Sequence, residues 1–443
     1  MYQFKLTPQK TEKKTTKHVN ICTDIPAPST IQIINDTLKN EPSSMNNQLP
    51  IVWDKAVDYQ VFDNAGNCWI DFTSTIFVAN VGHSNPDVCN AIKEAVDNQL
   101  LNAYYYPTKI KRDFISKLLE LSPKNLNKVL LLSTGSESNE AAIKMAVKYA
   151  TKLNPNKRIV VSFTNSFHGK TMGSQMLGGK KYEKSWIKHQ NPELINVSFP
   201  YPWEPFSFTQ TLKELESLGV DLENIAAFAT ESYQGWCACF LPVDYVQQMR
   251  EWCTNNSSLL IFDEVQSGFG RTGKFFAFEH YKVEADIICC GKGISSSLPL
   301  SAVITKEEII EPEQSFNSTH GGNPVACAAS LASINYIEQY NLVEASKQKG
   351  ILLEKLLTEW MNEKPNLIKK IYCKGLLASV FIECENNSEF VDRLIEIAMR
   401  KGLVSVRTAS GTLKIGPPLT IPDDALIEGI QILKDSLLEC ENV

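Results

Sequence analysis

The chain has 443 residues, 43% of them hydrophobic and 21% charged, and a formal net charge of −6. That length exceeds what one simple core holds and points to two or three structural units. The charge gives no reason to expect nucleic acid or an anionic membrane surface as a partner, and with no unbroken apolar run of 18 residues no spanning helix is expected.

In chain order, the opening stretch MYQFKLTPQKTEKKTTKHVN is basic and polar and lacks the apolar core of a signal peptide. A poorly ordered leader to about residue 20 is the expectation. From residue 128 onward, short apolar runs alternate with helical patterns. The runs are KVLLLS (128–133), RIVVSF (158–163), IAAFATE (225–231), SLLIFDE (258–264) and ADIICCG (285–291). Their length and β-branched content suit buried parallel strands. Between them, ESNEAAIKMAVKYATKL (137–153) and DYVQQMREWCTNN (244–256) read as amphipathic helices. The alternation predicts an α/β fold with a mostly parallel sheet, whose ligands gather at the carboxyl ends of the strands. After Pro324 the texture changes to a long helix, VACAASLASINYIEQYN, then helices mixed with short strands that include TLKIGPPLT (412–420).

Twelve cysteines are present, including Cys237, Cys239, Cys289 and Cys290. No pair of CxxC motifs frames a zinc site, so no metal is expected and free thiols in a reducing cytosol are the reading.

The chemistry-bearing residues follow the strand runs. After 128–133, Ser133-Thr134-Gly135-Ser136 opens a helix with acidic residues in its first turn. Free N–H groups and the helix dipole there favour a phosphate, although an ordinary capped helix has the same pattern. After 158–163 come Phe167, His168 and Gly169; the ring could stack on a planar group, or could simply be core. Four apolar residues deliver Asp263 and Glu264 to a strand end. A carboxylate there, facing a pyridine nitrogen, would keep that nitrogen protonated. Lys292, flanked by Gly291 and Gly293 after an apolar strand, would lose charge on burial, and a neutral amine forms Schiff bases.

The combination resembles the class III, or ω, aminotransferases among the fold-type I pyridoxal-phosphate (PLP) enzymes. The resemblance runs from about Val52 to the C-terminus through VFDNAGNCWIDF (61–72), NVGHSNP (80–86), STGSESNEAAIKMA (133–146), SFHGKTMG (166–173), FDEVQSGFGRTG (262–273), GKGISSSLPLSAVI (291–304), STHGGNP (318–324) and PPLTI (417–421). It implies a large PLP-binding domain over 81–318 and a smaller α+β domain over 319–443. It also implies an N-terminal segment to residue 80 that packs on the small domain and the active-site entrance. By the same resemblance Lys292 is the Schiff-base lysine and proton shuttle, and Asp263 the pyridinium partner. Val265 and Phe167 flank the ring, with His168 beside it, and Gln266 bonds the phenolic oxygen. Gly135 and Ser136 hold the phosphate, and Thr319 reaches the phosphate of a partner subunit's cofactor, which implies a homodimer. Glu231 matches a glutamate that gates the substrate in some members. The implied activity is amino transfer from an amine, ω-amino or amino-acid donor to a 2-oxo acid, in the cytoplasm, with no nucleic acid and no membrane. An amino-acid racemase or aminomutase on the same scaffold is the alternative.

Three departures from the family pattern bear on the substrate. Lys414 stands where an arginine commonly clamps the substrate carboxylate, and lysine lacks the planar bidentate fork; Arg407 lies close in sequence as a substitute. The usual S-G-I-A-V reads Ser74-Thr75-Ile76-Phe77-Val78, which places the bulky Phe77 in a stretch that lines the substrate entrance. Glu231 is followed by Ser232 instead of proline, and then by Trp236-Cys237-Ala238-Cys239.

Overall fold

The computed structural model describes residues 2–45, 47–408 and 410–441. The chain forms two compact units, one of residues 86–343 and one of residues 1–85 with 344–443.

The larger unit is built on seven strands: β1 (Lys128–Leu132), β2 (Ile159–Phe163), β3 (Leu194–Val197), β4 (Ile225–Glu231), β5 (Leu259–Asp263), β6 (Ile287–Cys290) and β7 (Ser301–Thr305). Their order is β1-β7-β6-β5-β4-β2-β3. The pairs β6/β5, β5/β4, β4/β2 and β2/β3 are parallel. Only β7 runs antiparallel, between β6 and β1. All five strands expected from the sequence are present. Strands β4, β5 and β6 are buried along their whole length, which is why they carry unbroken apolar runs instead of alternation.

The helix Gly135–Leu153 lies on this sheet. Its start is fixed by a capping box: the Thr134 hydroxyl accepts from the Glu137 N–H, and the Glu137 carboxylate accepts from the Thr134 and Ser133 N–H groups. Ala142, Met145 and Ala146 on its inner face join Val160, Ala227, Ile261, Ile287 and Val303 in one core. The larger unit extends to Val343, past the boundary at 318 that the resemblance implies, because helix Pro324–Gln339 packs on helices Pro86–Asp97 and Lys109–Leu121.

The smaller unit holds two sheets. One joins Cys68–Asp71 to its antiparallel neighbours Asn20–Ile21 and Gln60–Phe62, and to the parallel strand Leu403–Val404. The other is antiparallel, in the order Ile368–Lys374, Leu377–Ile382, Leu413–Ile415, Val406–Arg407. The expected disordered leader is a correction: Lys14–Thr15 pairs with Asn20–Ile21, Gln9 bridges Ile25, and the Lys5 N–H donates to Glu396. Its polar backbone finds these partners in the unit itself, which composition alone does not reveal.

One segment of the smaller unit departs from ordinary backbone geometry. Ser74, Thr75, Ile76 and Phe77 all have positive φ, at 48°, 53°, 58° and 69°. Thr75 and Ile76 have ψ of 51°, which makes this a left-handed helical turn. At about 1–2 kcal/mol per residue, such a run costs on the order of 4–8 kcal/mol. Thr73 steadies its entry: the Asp71 carboxylate accepts from both the N–H and the hydroxyl of Thr73, each at 2.7 Å.

Candidate active site

The parallel register of the large sheet sets the site. Asp263 on β5 stands level with Glu231 on β4 and with Cys289 on β6. Three acid- or thiol-bearing side chains therefore share the carboxyl edge, and Lys292 follows three residues after Cys289.

Asp263 is buried and held by three donors. Asn139 Nδ2 donates to Oδ2 at 2.8 Å, His168 Nδ1 meets Oδ2 at 2.9 Å, and the Val265 N–H donates to Oδ1 at 3.0 Å. Together these donors fix the direction of the carboxylate. Burial works against a charged His168, but the hydrogen bond and charge of Asp263 outweigh it, and the imidazole sits above its ordinary pKa. The outer ring nitrogen of His168 is buried with no hydrogen-bond partner.

Glu231 is buried as well. Its two oxygens accept from the N–H groups of Phe167, at 3.0 Å, and Gly235, at 2.9 Å. Burial raises its pKa, and the neighbouring His168 charge pulls the other way. Lys292 sits at φ 45°, a left-handed conformation that costs energy for any residue but glycine. Burial lowers its pKa while Asp263 and Glu231 oppose the shift, so its amine loses its proton more readily than a solvated lysine does.

Around these groups the backbone comes unusually close. A Cβ at Gly135 would lie 2.9 Å from Val265 Cγ1, and one at Gly291 would lie 3.1 Å from the same atom. Only glycine lets Val265 rest against both turns. Gly169, at φ +140°, packs on Ser136, whose hydroxyl accepts from the Lys170 N–H at 3.3 Å. The N–H groups of Gly135 and Ser136 lie in the first helical turn, where no intrahelical acceptor exists. An anion at this turn would meet both.

Comparison with known proteins gives the family. The family model for aminotransferase class-III matches residues 42–437. The chain is a class-III aminotransferase. It is 33% identical over 400 residues to an acetylornithine aminotransferase of Caldanaerobacter subterraneus subsp. tengcongensis, a match that covers 89% of this chain and 96% of the relative. It is 31% identical to a probable 4-aminobutyrate aminotransferase of Bacillus subtilis, over 85% of this chain and 91% of the relative. Among solved structures, a Bacillus anthracis aminotransferase superposes with a TM-score of 0.83 at 29% identity, covering 93% of this chain and 99% of that one. The aminotransferase thus has the fold-type I α/β architecture and catalyses PLP-dependent transamination; the racemase or aminomutase alternative is not favoured.

The residues of this aminotransferase fit the cofactor. A three-donor aspartate, a lysine with a lowered pKa, a helix start with open N–H groups and a buried imidazole nitrogen without a partner lie on one sheet edge.

Three residues implied by the resemblance lie on other elements. Thr319 is exposed in the larger unit. Phe77 and Lys414 belong to the smaller unit, where the Lys414 ammonium lies 4.8 Å from the centre of the Phe77 ring. Arg407 is already committed: Nε and Nη2 each lie 2.6 Å from one oxygen of Asp392, and Nη1 donates to the Thr408 carbonyl. All three guanidinium nitrogens are thus engaged.

One partner of Asp263 escaped sequence reasoning. Asn139 carries no signal beyond being a polar residue on the inner face of a helix. Glu264 reads like Asp263 in sequence but points away into structure: its carboxylate accepts from the hydroxyls of Ser232 and Ser267 and the N–H groups of Ala277 and Phe278. Burial pushes it up to about 7 against those four donors, three of which come from the chain after β5.

Proposed function

We propose that this aminotransferase takes an amino group from a donor whose reacting amine lies at the end of an aliphatic chain and passes it to a 2-oxo acid. The names of its relatives support a donor of that class: acetylornithine, ornithine and 4-aminobutyrate aminotransferases, from 29% to 35% identical over most of their length. The observation that carries the residue assignment is the alignment of Glu231 and Asp263 at one sheet edge, with Lys292 just beyond.

PLP, when bound, supplies the electron sink and carries the amino group between the two half-reactions. In this reading Lys292 Nζ would hold the cofactor and serve as the proton carrier, and its burial keeps the amine available. Asp263 would present its carboxylate to the ring nitrogen, held in place by Asn139, His168 and the Val265 N–H. Val265 and Phe167 flank the ring. Gln266 serves the phenolic oxygen, and the helix start at Gly135 and Ser136 takes the phosphate. Glu231 and Lys414 recognise substrate, with Lys414 as the carboxylate partner in place of an arginine. Thr319 from a second copy of the chain completes the phosphate site, so the working unit is a homodimer. Twelve free thiols favour a reducing, cytoplasmic setting.

The test is a donor screen on the purified holoenzyme, with 4-aminobutyrate, ornithine, N-acetylornithine, diamines and α-amino acids against pyruvate and 2-oxoglutarate. A terminal-amine donor should give the highest kcat/KM. A clear preference for α-amino acids would overturn the donor assignment, and a monomeric active species in sedimentation would overturn the dimer.

A further inference from the structure

Helix Lys109–Leu121 carries four cations, and three of them are paired within the larger unit. The Asp113 carboxylate takes Lys109 at 2.9 Å and Arg112 at 2.5 Å, and Lys117 meets Glu338 at 2.7 Å and Glu120 at 3.2 Å. Lys111 is the exception: among the described residues its half-buried side chain has no carboxylate, carbonyl or hydroxyl partner for the ammonium. Its stem packs against the loop 318–323. A Cβ at Gly322, which stands at φ +71°, would lie 3.0 Å from Lys111 Cε and 3.2 Å from Cδ, so glycine is what lets the loop rest on the stem. Lys111 lines a cavity of about 260 Å³ together with Tyr105, Gln314, Asn317 and Ser318. Among the described residues no carboxylate lines that cavity, and Lys111 is its one charge. The loop closes in a turn, the Gly321 N–H donating to the Ser318 carbonyl at 2.9 Å. Thr319 sits exposed inside that turn, between two residues that line the cavity.

We propose that Lys111 is the cation of an anion site beside Thr319, and that its ligand is the phosphate of a second copy's cofactor. This rests on the reading of Thr319 as the residue that reaches that phosphate. The argument is a balance of charge. A phosphate monoester carries about −1.5 to −2 near neutrality. The groups assigned to it are the N–H groups of Gly135 and Ser136 and the Thr319 hydroxyl, none of which is a cation, and a helix start contributes only about half a positive charge. An anion covered by a second copy of the chain with its charge uncompensated is costly. Lys111 supplies a full positive charge against the loop that carries Thr319. It does so in a concave site whose apolar walls, Ile115 and Val129 among them, strengthen its field. An ammonium already tied to a carboxylate, like its three neighbours on the helix, could not serve there.

The experiment titrates the full-length chain, depleted of cofactor, with PLP and with pyridoxal, which lacks the phosphate, and reads Kd from the cofactor absorbance. Lys111→Met keeps the stem and removes the charge. It should raise Kd for PLP about tenfold, the loss of one charge-assisted hydrogen bond, and leave Kd for pyridoxal at the parent value. Lys111→Arg should restore most of the PLP affinity. The second copy's share is read in heterodimers in which Lys292→Ala confines the titrated site to one chain: Lys111→Met should weaken PLP when it lies on the Lys292→Ala chain and leave it unchanged when it lies on the other. If PLP and pyridoxal weaken alike, Lys111 is structural and the proposal fails. If Lys111→Met leaves PLP unchanged while Thr319→Ala weakens it, the Lys111 site is wrong and the Thr319 reading stands. If neither variant changes Kd for PLP, the Thr319 reading fails and the Lys111 site with it. Inorganic phosphate that binds the PLP-loaded enzyme in calorimetry, and is lost in Lys111→Met while PLP affinity is unchanged, would assign the cavity to a free anion and overturn its assignment to the cofactor.

Discussion

Replacing Asn139 with alanine should damage both stability and catalysis, although Asn139 is not among the residues proposed to touch the cofactor. Its buried amide faces three acceptors: the Gly135 carbonyl at 3.1 Å, the His168 carbonyl at 2.9 Å and Asp263 Oδ2 at 2.8 Å. The amide has two N–H groups, so two bonds are counted. The bond to the carboxylate is worth about 1.5–3 kcal/mol and one to a carbonyl about 0.5–1.5, which puts the loss at roughly 2–4 kcal/mol. For a unit of this size that corresponds to a fall in melting temperature of roughly 5–15 °C. Asp263 would keep only His168 and the Val265 N–H as orienting donors. Loss of an outer partner that orients a functional group costs about 10–100-fold at metal sites, and a similar loss of kcat is expected here. Asn139→Asp should be worse, because it sets a second carboxylate against Asp263. The assays are calorimetric unfolding and steady-state turnover of each variant at saturating cofactor. Unchanged melting temperature and unchanged kcat in Asn139→Ala would refute the claim that this network holds the aspartate.

Three further outcomes are expected. Asp263→Ala should lower kcat by several orders of magnitude with a smaller effect on the melting temperature, and the reverse pattern would make Asp263 a strand-end cap. Thr75→Gly should raise the melting temperature, with a gain of about 1 kcal/mol from relief of one left-handed residue; a destabilised variant would show that the turn carries no such strain. Glu313 is paired with Lys148 at 2.8 Å and Lys144 at 3.1 Å. Burial raises its pKa, but the lysines and Ser315 outweigh that and hold it at about 2. A carboxyl lowered on folding stabilises above its unfolded value near 4.5, and that contribution is lost as pH falls toward about 2. Glu313→Gln should therefore be less stable than the parent near neutrality, with the gap closing as the solution is acidified below about pH 4.5; a gap that stays constant would contradict the pairing.

The parts of the molecule that sequence reveals are those where a local pattern has one cause. Strands β4 to β6 read clearly because a parallel strand covered on both faces is apolar throughout. β3 and β7 do not stand out in the same way: Leu194–Val197 carries Asn196 among its four residues, and Ser301–Thr305 begins and ends on hydroxyls. Asp263 and Lys292 could be picked because chemistry-bearing residues at the ends of apolar runs are conspicuous. Asn139, 124 residues away from the aspartate it holds, is visible only when the fold is closed. The same is true of the Arg407–Asp392 pair and of the left-handed turn, since nothing in Ser74-Thr75-Ile76-Phe77 favours positive φ.

The central claim is that Lys292 carries the cofactor. Reduction of the holoenzyme with borohydride fixes the cofactor to whichever lysine holds it, and peptide mass mapping then locates it. The account predicts the added mass on the peptide containing Lys292, and its loss together with turnover in Lys292→Ala. The added mass on another lysine, or a Lys292→Ala variant that still turns over at the parent rate, would contradict it.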